Sequence, residues 1–182
     1  ELGAAVPLVS WERRLGLLKE LGVNALRLAH NPHAPEVLDL CDRMGFLVIN
    51  EMYDKWEEGW FESDEVQFTS TWEKDLSNFI LRDRNHASVV LWSLGNETRE
   101  QLNDPSMGVV WYNDMKDLVR SMDSTRQVTV SLHPGYADEG HEIPSSMMHV
   151  SPVVSYNYMS DSFRVWHERY PDLVADEVEE SK

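Results

Sequence analysis

The feature that most constrains the fold is a short, almost unbroken apolar run at residues 89–94, rich in β-branched and large aliphatic side chains. Such a run is typical of a strand buried on both faces, as in a parallel sheet covered by helices. Gly95, Asn96 and Glu97 follow it directly. In a barrel of parallel strands the carboxyl ends carry the chemistry, so Asn96 and Glu97 occupy catalytic positions. Taken alone, the pair would equally suit the cap of the next helix.

Strand and helix patterns alternate along the whole chain, which is typical of a parallel α/β fold. Six strands are predicted, at residues 24–29, 46–49, 89–94, 127–132, 153–158 and 173–175. Ser10 and Ser70 are predicted N-caps, Ser70 with Glu73 in a capping box. Pro35 is predicted to open a helix that Gly45 closes.

Composition narrows the class of ligand. The 182 residues carry 16 basic and 32 acidic side chains, a formal charge of −16. Such a surface repels nucleic acid and anionic membranes, and it suits neutral ligands. The single cysteine, Cys41, has apolar neighbours and is predicted to be a buried structural thiol. No apolar run approaches the roughly 20 residues of a membrane span.

Residues 82–97 as a whole carry a family resemblance. A charged Arg-Asp-Arg-Asn-His-Ala-Ser turn, the apolar run and Gly-Asn-Glu together resemble the acid/base segment of family 2 glycoside hydrolases, the β-galactosidases, β-glucuronidases and β-mannosidases. The resemblance implies a (β/α)₈ TIM barrel. Since eight strands close a barrel and six are predicted, residues 1–182 are expected to be a catalytic barrel fragment without its first and last strands.

The resemblance also implies the two catalytic carboxylates, Glu97 as acid/base and Glu177 as nucleophile. Retaining glycosidases hold such a pair about 5–5.5 Å apart. Counting without gaps from Tyr170 favours Glu179 as the nucleophile, whereas a strand that ends at Ala175 favours Glu177, and the second alignment is preferred. An acidic, solvated tail is the alternative for this segment.

Further substrate-site residues follow from the resemblance. Asn96 is expected to bind the sugar 2-hydroxyl, and Tyr158 is expected to support the nucleophile. Tyr156 is the alternative to Tyr158, although core packing is the preferred interpretation for Tyr156. Arg27 ends a buried strand, where an unpaired cation is costly, so it is expected to pair with an active-site carboxylate.

Three more residues, His30, Glu51 and Asp54, match family positions near the substrate, although the two acids could equally be hydrogen-bonding struts. His30 and His33 with Glu51 could suggest a metal site, but no helical frame aims both rings, so neither a metal nor a cofactor is predicted. Trp56 and Trp60 offer faces for sugar C–H groups or, equally, anchors for a long loop.

The predicted function is a retaining exo-β-glycosidase that hydrolyses terminal β-linked sugars by double displacement, with β-galactosides favoured. A β-glucuronidase or β-mannosidase of the same family is the alternative, as is a non-catalytic carbohydrate-binding relic. A carbohydrate is the expected partner, with neither nucleic acid nor membrane. Any homo-oligomer is expected to form through domains outside this chain, and the compartment stays undetermined.

Overall fold

A computed structural model describes residues 5–57, 68–98, 100, 105–133, 145–151, 153–158, 163–172 and 174–179. Six strands form one parallel sheet in sequential order: β1 (Ala25–Leu28), β2 (Leu47–Glu51), β3 (Val89–Asn96), β4 (Gln127–Leu132), β5 (Val153–Asn157) and β6 (Val174–Glu179). Each strand pairs with the next one in the chain, as in consecutive strands of a (β/α)₈ barrel. The predicted partial barrel is therefore confirmed.

In the described part of the chain, one helix precedes β1 and each later helix lies between two consecutive strands: α1 (Leu8–Glu20), α2 (Pro35–Met44), α3 (Phe68–Asp83), α4 (Pro105–Met122), α5 (Ser145–Met148) and α6 (Phe163–Arg169). Pro35 and Gly45 bound α2 as predicted, and Gly45 takes the left-handed conformation at φ 68°. Both predicted serine caps are wrong. Helix α1 begins after Pro7 without a side-chain cap, and Ser70 lies inside α3.

The main differences from the sequence prediction are at the strand ends. Strand β2 continues through Glu51, β3 continues through Asn96, and β6 continues through Glu179. Most of the polar residues predicted to follow these strands are thus part of the strands, whereas Glu97 lies just after β3. Backbone pairing with a neighbouring strand sets where a strand ends, so hydrophobicity alone places the end too early.

The core lies between the sheet and its helices. Trp92, Leu94, Leu76, Ile80 and Met115 are among its side chains that are wholly buried. Cys41 is a buried free thiol, and burial raises its pKa to about 11, which fits the predicted structural role. None of the described helices is long and apolar enough to cross a bilayer.

Candidate active site at the carboxyl end of the sheet

The centre of the site is an ion pair between Arg27, near the carboxyl end of β1, and Glu51, the last residue of β2. Arg27, at 8% side-chain exposure, donates from Nε to Glu51 Oε2 at 3.0 Å and from Nη2 to the same oxygen at 2.8 Å. Glu51 is fully buried, and Ser93 Oγ donates to its Oε2 at 2.7 Å. The expected pairing of Arg27 with a buried carboxylate is therefore present, and it leaves neither charge uncompensated.

His30 lies against the other oxygen of Glu51. Its Nδ1 is 2.8 Å from Glu51 Oε1, so Nδ1 carries the proton. The Nη2 of Arg27, 3.4 Å from the same nitrogen, is also a donor and makes no hydrogen bond there. The hydrogen bond to Glu51 raises the pKa of His30, against the opposing effect of burial. His30 is therefore held in one tautomer at the mouth of the site, with a third of its ring exposed.

Asn96, the last residue of β3, is held on several sides. Its Oδ1 accepts a hydrogen bond from Arg27 Nη2 at 2.8 Å, and its Nδ2 donates to Asp54 Oδ1 at 3.1 Å. Its backbone N–H donates to the Asp54 carbonyl, and its own carbonyl accepts from Lys55 Nζ at 2.9 Å. Because Arg27 only donates and an ionised Asp54 only accepts, the amide of Asn96 has one possible orientation.

Asp54 remains ionised in this setting. Burial opposes its ionisation, but hydrogen bonds from Lys55 and Asn96 outweigh that effect and lower the pKa of Asp54. The Lys55 ammonium is 2.6 Å from Asp54 Oδ1. Sequence reasoning missed Lys55, because a lysine among many loop acids carries no distinctive pattern.

Glu97 follows β3 in a strained backbone conformation. Its φ is 47°, in the left-handed region that non-glycine residues rarely adopt. Its N–H donates to the Ser131 carbonyl at 2.8 Å, and its Oε1 accepts from Asn157 Nδ2 at 2.8 Å. Such strain tends to persist at functional sites, where surrounding contacts over-determine it.

Asn157, the last residue of β5, is fully buried and joins Glu97 to the rest of the site. Its Nδ2 also donates to Asn96 Oδ1 at 2.9 Å. The sequence analysis included Asn157 in the predicted strand 153–158 but gave it no role. One signal was available, since its position at the carboxyl end of a buried strand matches that of Asn96.

The two tyrosines at the carboxyl end of β5 differ. Tyr156 is buried at 2% exposure, and burial raises its pKa to about 12, which agrees with the preferred packing interpretation. Tyr158 is 42% exposed, has a φ of 58°, and meets the His133 ring edge-on at 6.4 Å. Its contact with a nucleophile stays a prediction.

The premise that placed the nucleophile is wrong, because β6 does not end at Ala175. The backbone register pairs Glu177 with Tyr156 and Glu179 with Asn157, with an irregularity between the two pairs. Glu177 thus lies within the strand, and Glu179 is its last residue. The side chains of both acids lie outside the described part of the structure, so their roles stay predictions.

Trp56 does not offer its face to a ligand. It is 5% exposed, its Nε1 donates to the Leu94 carbonyl at 2.9 Å, and its ring stacks on Phe68 at 6.3 Å. The loop-anchoring interpretation is therefore the correct one for Trp56. Trp60 lies outside the described residues.

Among the described residues, the ligand atoms of His30, His33 and Glu51 do not converge as a group of three that could hold a metal ion. His30 is committed to Glu51, while the Nδ1 of His33 faces the Asn31 carbonyl at 3.1 Å. Within the described ranges, one group of three metal-type side chains does occur, made of Asp39, Asp42 and His86 near the amino end of the sheet. Asp42 there accepts hydrogen bonds from the N–H of Ser88 and from His86, which closes a turn.

Comparison with known proteins gives a consistent picture. The model of "Glycosyl hydrolases family 2, TIM barrel domain" matches residues 1–180. The chain is 54% identical over 104 residues to "Beta-galactosidase BoGH2A" of Bacteroides ovatus, which covers 57% of this chain and 12% of that protein. It is 31% identical over 154 residues to a β-galactosidase of Kluyveromyces lactis, a match that covers 69% of this chain and 14% of that protein.

Solved structures agree with this match. A family 2 glycosyl hydrolase from Bacteroides cellulosilyticus superimposes with a TM-score of 0.84 at 35% identity, covering 96% of this chain and 22% of that one. A β-glucuronidase from Bacteroides uniformis superimposes with a TM-score of 0.76 at 19% identity, covering 94% of this chain and 22% of that one. At this identity the similarity supports the fold alone. The chain thus spans about an eighth to a fifth of the length of these proteins.

Proposed function

The chain belongs to the glycosyl hydrolases of family 2, as part of the TIM barrel domain, and from this membership we propose that it forms the catalytic centre of a retaining exo-β-glycosidase acting on β-galactosides. Residues 1–182 then supply six of the eight barrel strands, and a longer protein supplies the others. The β-galactosidase name of the 54% identical relative supports the choice of sugar.

The observation that carries the proposal is the position of Glu97. It follows the carboxyl end of β3 in a strained conformation and accepts a hydrogen bond from Asn157. Asn157 also donates to Asn96, which links Glu97 to the network of Arg27 and Glu51. A capping role would require none of these side-chain contacts. We assign Glu97 as the acid/base and Asn96 as the residue that meets the sugar 2-hydroxyl.

The reaction has two displacements. A second carboxylate attacks the anomeric carbon while the bond to the leaving oxygen breaks; that oxygen keeps the electron pair and takes the proton of Glu97. Water then attacks the anomeric carbon and gives a proton to Glu97, and the carboxylate leaves with its electron pair. Arg27 and His30 hold the Glu51 charge in place throughout.

The second carboxylate is Glu177 or Glu179. The apolar strand pattern favours Glu177, but the backbone register favours Glu179, because it pairs Glu179 with Asn157 and Asn157 contacts Glu97. Labelling with a 2-fluoro sugar that traps the glycosyl-enzyme, followed by peptide mass spectrometry, decides between them. A label on neither acid, or inversion at the anomeric carbon, would refute the double displacement.

Glu97→Gln in a longer protein that contains this segment tests the acid/base assignment. Since general acid catalysis contributes about 10²–10⁴-fold, hydrolysis of phenyl or alkyl β-galactosides should fall by about that factor, with a much smaller loss for dinitrophenyl β-galactoside. Equal losses on both substrates would contradict the role. Wild-type assays on the matching β-glucuronide and β-mannoside test the sugar, and inactivity on all three would favour a binding relic.

A further inference from the structure

The direction of the hydrogen bond at Glu97 is set by a chain of contacts that starts at the buried ion pair. Arg27 donates to Asn96 Oδ1 at 2.8 Å, and Asp54 accepts from Asn96 Nδ2 at 3.1 Å. An arginine has no acceptor and a carboxylate has no donor, so the oxygen of Asn96 must face Arg27. The amide of Asn96 cannot be turned over without losing both contacts.

That orientation in turn fixes Asn157. The Asn157 side chain lies 2.9 Å from Asn96 Oδ1 and 2.8 Å from Glu97 Oε1, both through the same terminal atom. Because the facing atom of Asn96 is an acceptor, the shared atom of Asn157 must be the nitrogen, and its two N–H groups serve the two contacts. Asn157 is fully buried, which holds its amide in this position.

Building on the proposed function, we propose that Asn157 is a positioning residue that reserves Glu97 Oε1 as a hydrogen-bond acceptor and so confines the transferable proton to Oε2. Oε1 receives an N–H in both protonation states of Glu97. The proton that goes to the leaving oxygen in the first displacement leaves from Oε2, and the proton taken from water in the second returns there.

The same contact fixes the direction in which the reactive oxygen of Glu97 points. The N–H donor keeps the carboxylate from rotating, so Oε2 points along one direction in both steps. Holding a reacting group in the correct geometry lowers the entropic part of the reaction barrier.

Two substitutions at residue 157 separate the hydrogen bond from packing. Asn157→Asp keeps the shape of the side chain and replaces its N–H donor by an acceptor. Asn157→Leu keeps a side chain of similar size and removes the donor and the acceptor. We expect kcat/KM for phenyl β-galactoside to fall by about 100-fold and that for dinitrophenyl β-galactoside by under about 10-fold, a share of the 10²–10⁴ that acid catalysis contributes.

The matched control is Asn50, another buried strand-end asparagine, whose Nδ2 donates to Asp83 Oδ2 at 2.9 Å. Asn50→Leu removes a comparable buried amide, so any loss it causes should be the same for both substrates. If the Asn157 variants also lose equally on both substrates, or lose nothing, the proposal is overturned while the proposed function stands.

A second measurement does not need activity. In protein labelled with ¹⁵N-asparagine, the side-chain protons of Asn157 are assigned by their disappearance in Asn157→Leu. Glu97→Ala should shift one of these two protons and leave the Asn50 pair unchanged. If neither Asn157 proton moves, the proposal fails. If Glu97→Gln shows no dependence on the leaving group, the proposed function fails, and this measurement alone decides whether Asn157 orients Glu97.

Discussion

Two ionic clusters lie at opposite ends of the same sheet, and they are built differently. The amino-end cluster consists of Arg126, Asp123 and the groups that hydrogen-bond to them. The carboxyl-end cluster consists of Arg27, His30, Glu51, Asp54, Asn96, Glu97 and Asn157. At the amino end, Arg126 donates to Asp123 and to the carbonyls of Arg84, His86 and Val89.

Asp123 in the amino-end cluster is equally satisfied. It accepts from Trp92 Nε1 at 2.9 Å and from the N–H and hydroxyl of Thr125. Burial opposes its ionisation, but the bonds from Thr125 and Arg126 outweigh that effect and hold its pKa far below the usual value. Most of these contacts involve backbone or neighbouring residues, so the cluster ties turns together.

The carboxyl-end cluster instead joins side chains from four strands to one another. Its contacts run from Arg27 on β1 through Glu51 and Asn96 to Asn157 on β5. Among the described residues, the Oδ1 of Asn157 has no hydrogen-bond partner. Buried charge that is bound to backbone therefore serves stability in this protein, whereas buried charge that is bound to other side chains can orient a reactive group.

The largest expected effect comes from replacing the arginine of each cluster by an uncharged residue. Arg27→Met leaves the wholly buried Glu51 without its cation, which should cost about 3–5 kcal/mol of stability. It also frees Asn96 and, through it, Glu97, so the activity of the folded fraction should drop by about 100-fold. Urea unfolding and active-site titration measure the two effects separately.

Arg126→Met is the matched variant at the other end. It should cost a similar few kcal/mol, since Asp123 is buried too. The kcat of the folded fraction should stay within about twofold, because the two clusters share no hydrogen-bond partner among the described residues. A large loss of kcat in this variant would show that the two ends are coupled and would break the comparison.

A smaller effect is expected at Gly95, where β3 passes under Trp56. A Cβ there would lie 2.8 Å from Trp56 Nε1 and 3.0 Å from Thr98 Cγ2. Gly95→Ala should therefore displace the indole and its bond to Leu94, at a cost of about 1–3 kcal/mol for overpacking. The fluorescence spectrum and thermal midpoint report this displacement. Gly16→Ala, where a Cβ meets nothing within 4 Å, is the control and should not destabilise.

The smallest effect is the pH dependence contributed by His30. Because its pKa is raised in the folded state, its stabilisation is full below the unfolded value of about 6.5 and is lost as pH rises through the folded value. The stability difference between wild type and His30→Gln should therefore shrink as pH rises above neutrality. NMR titration of the ring protons should give a pKa above 6.5, and a lower one would contradict the Glu51 contact.

The sequence predicted the site unevenly, for identifiable reasons. Arg27 could be assigned a carboxylate partner from the sequence, because a cation at the end of a buried strand is costly unless an anion pairs with it. Glu51, which supplies this carboxylate, comes from the adjacent parallel strand and was among the candidate site residues. Asn157 was missed as a site residue, since its contact with Glu97 spans 60 residues and no spacing rule reaches that far.

The order of strands and helices, the parallel sheet and the placement of polar residues near strand ends could be predicted from the sequence, because hydrophobic periodicity and helix stop signals act locally. Only the tertiary structure decided where each strand ends, that Trp56 packs inward, and how the amides of Asn96 and Asn157 are oriented. Those outcomes depend on backbone pairing and on hydrogen-bond partners from distant strands. A donor or acceptor acquires its direction only when the fold brings its partner beside it.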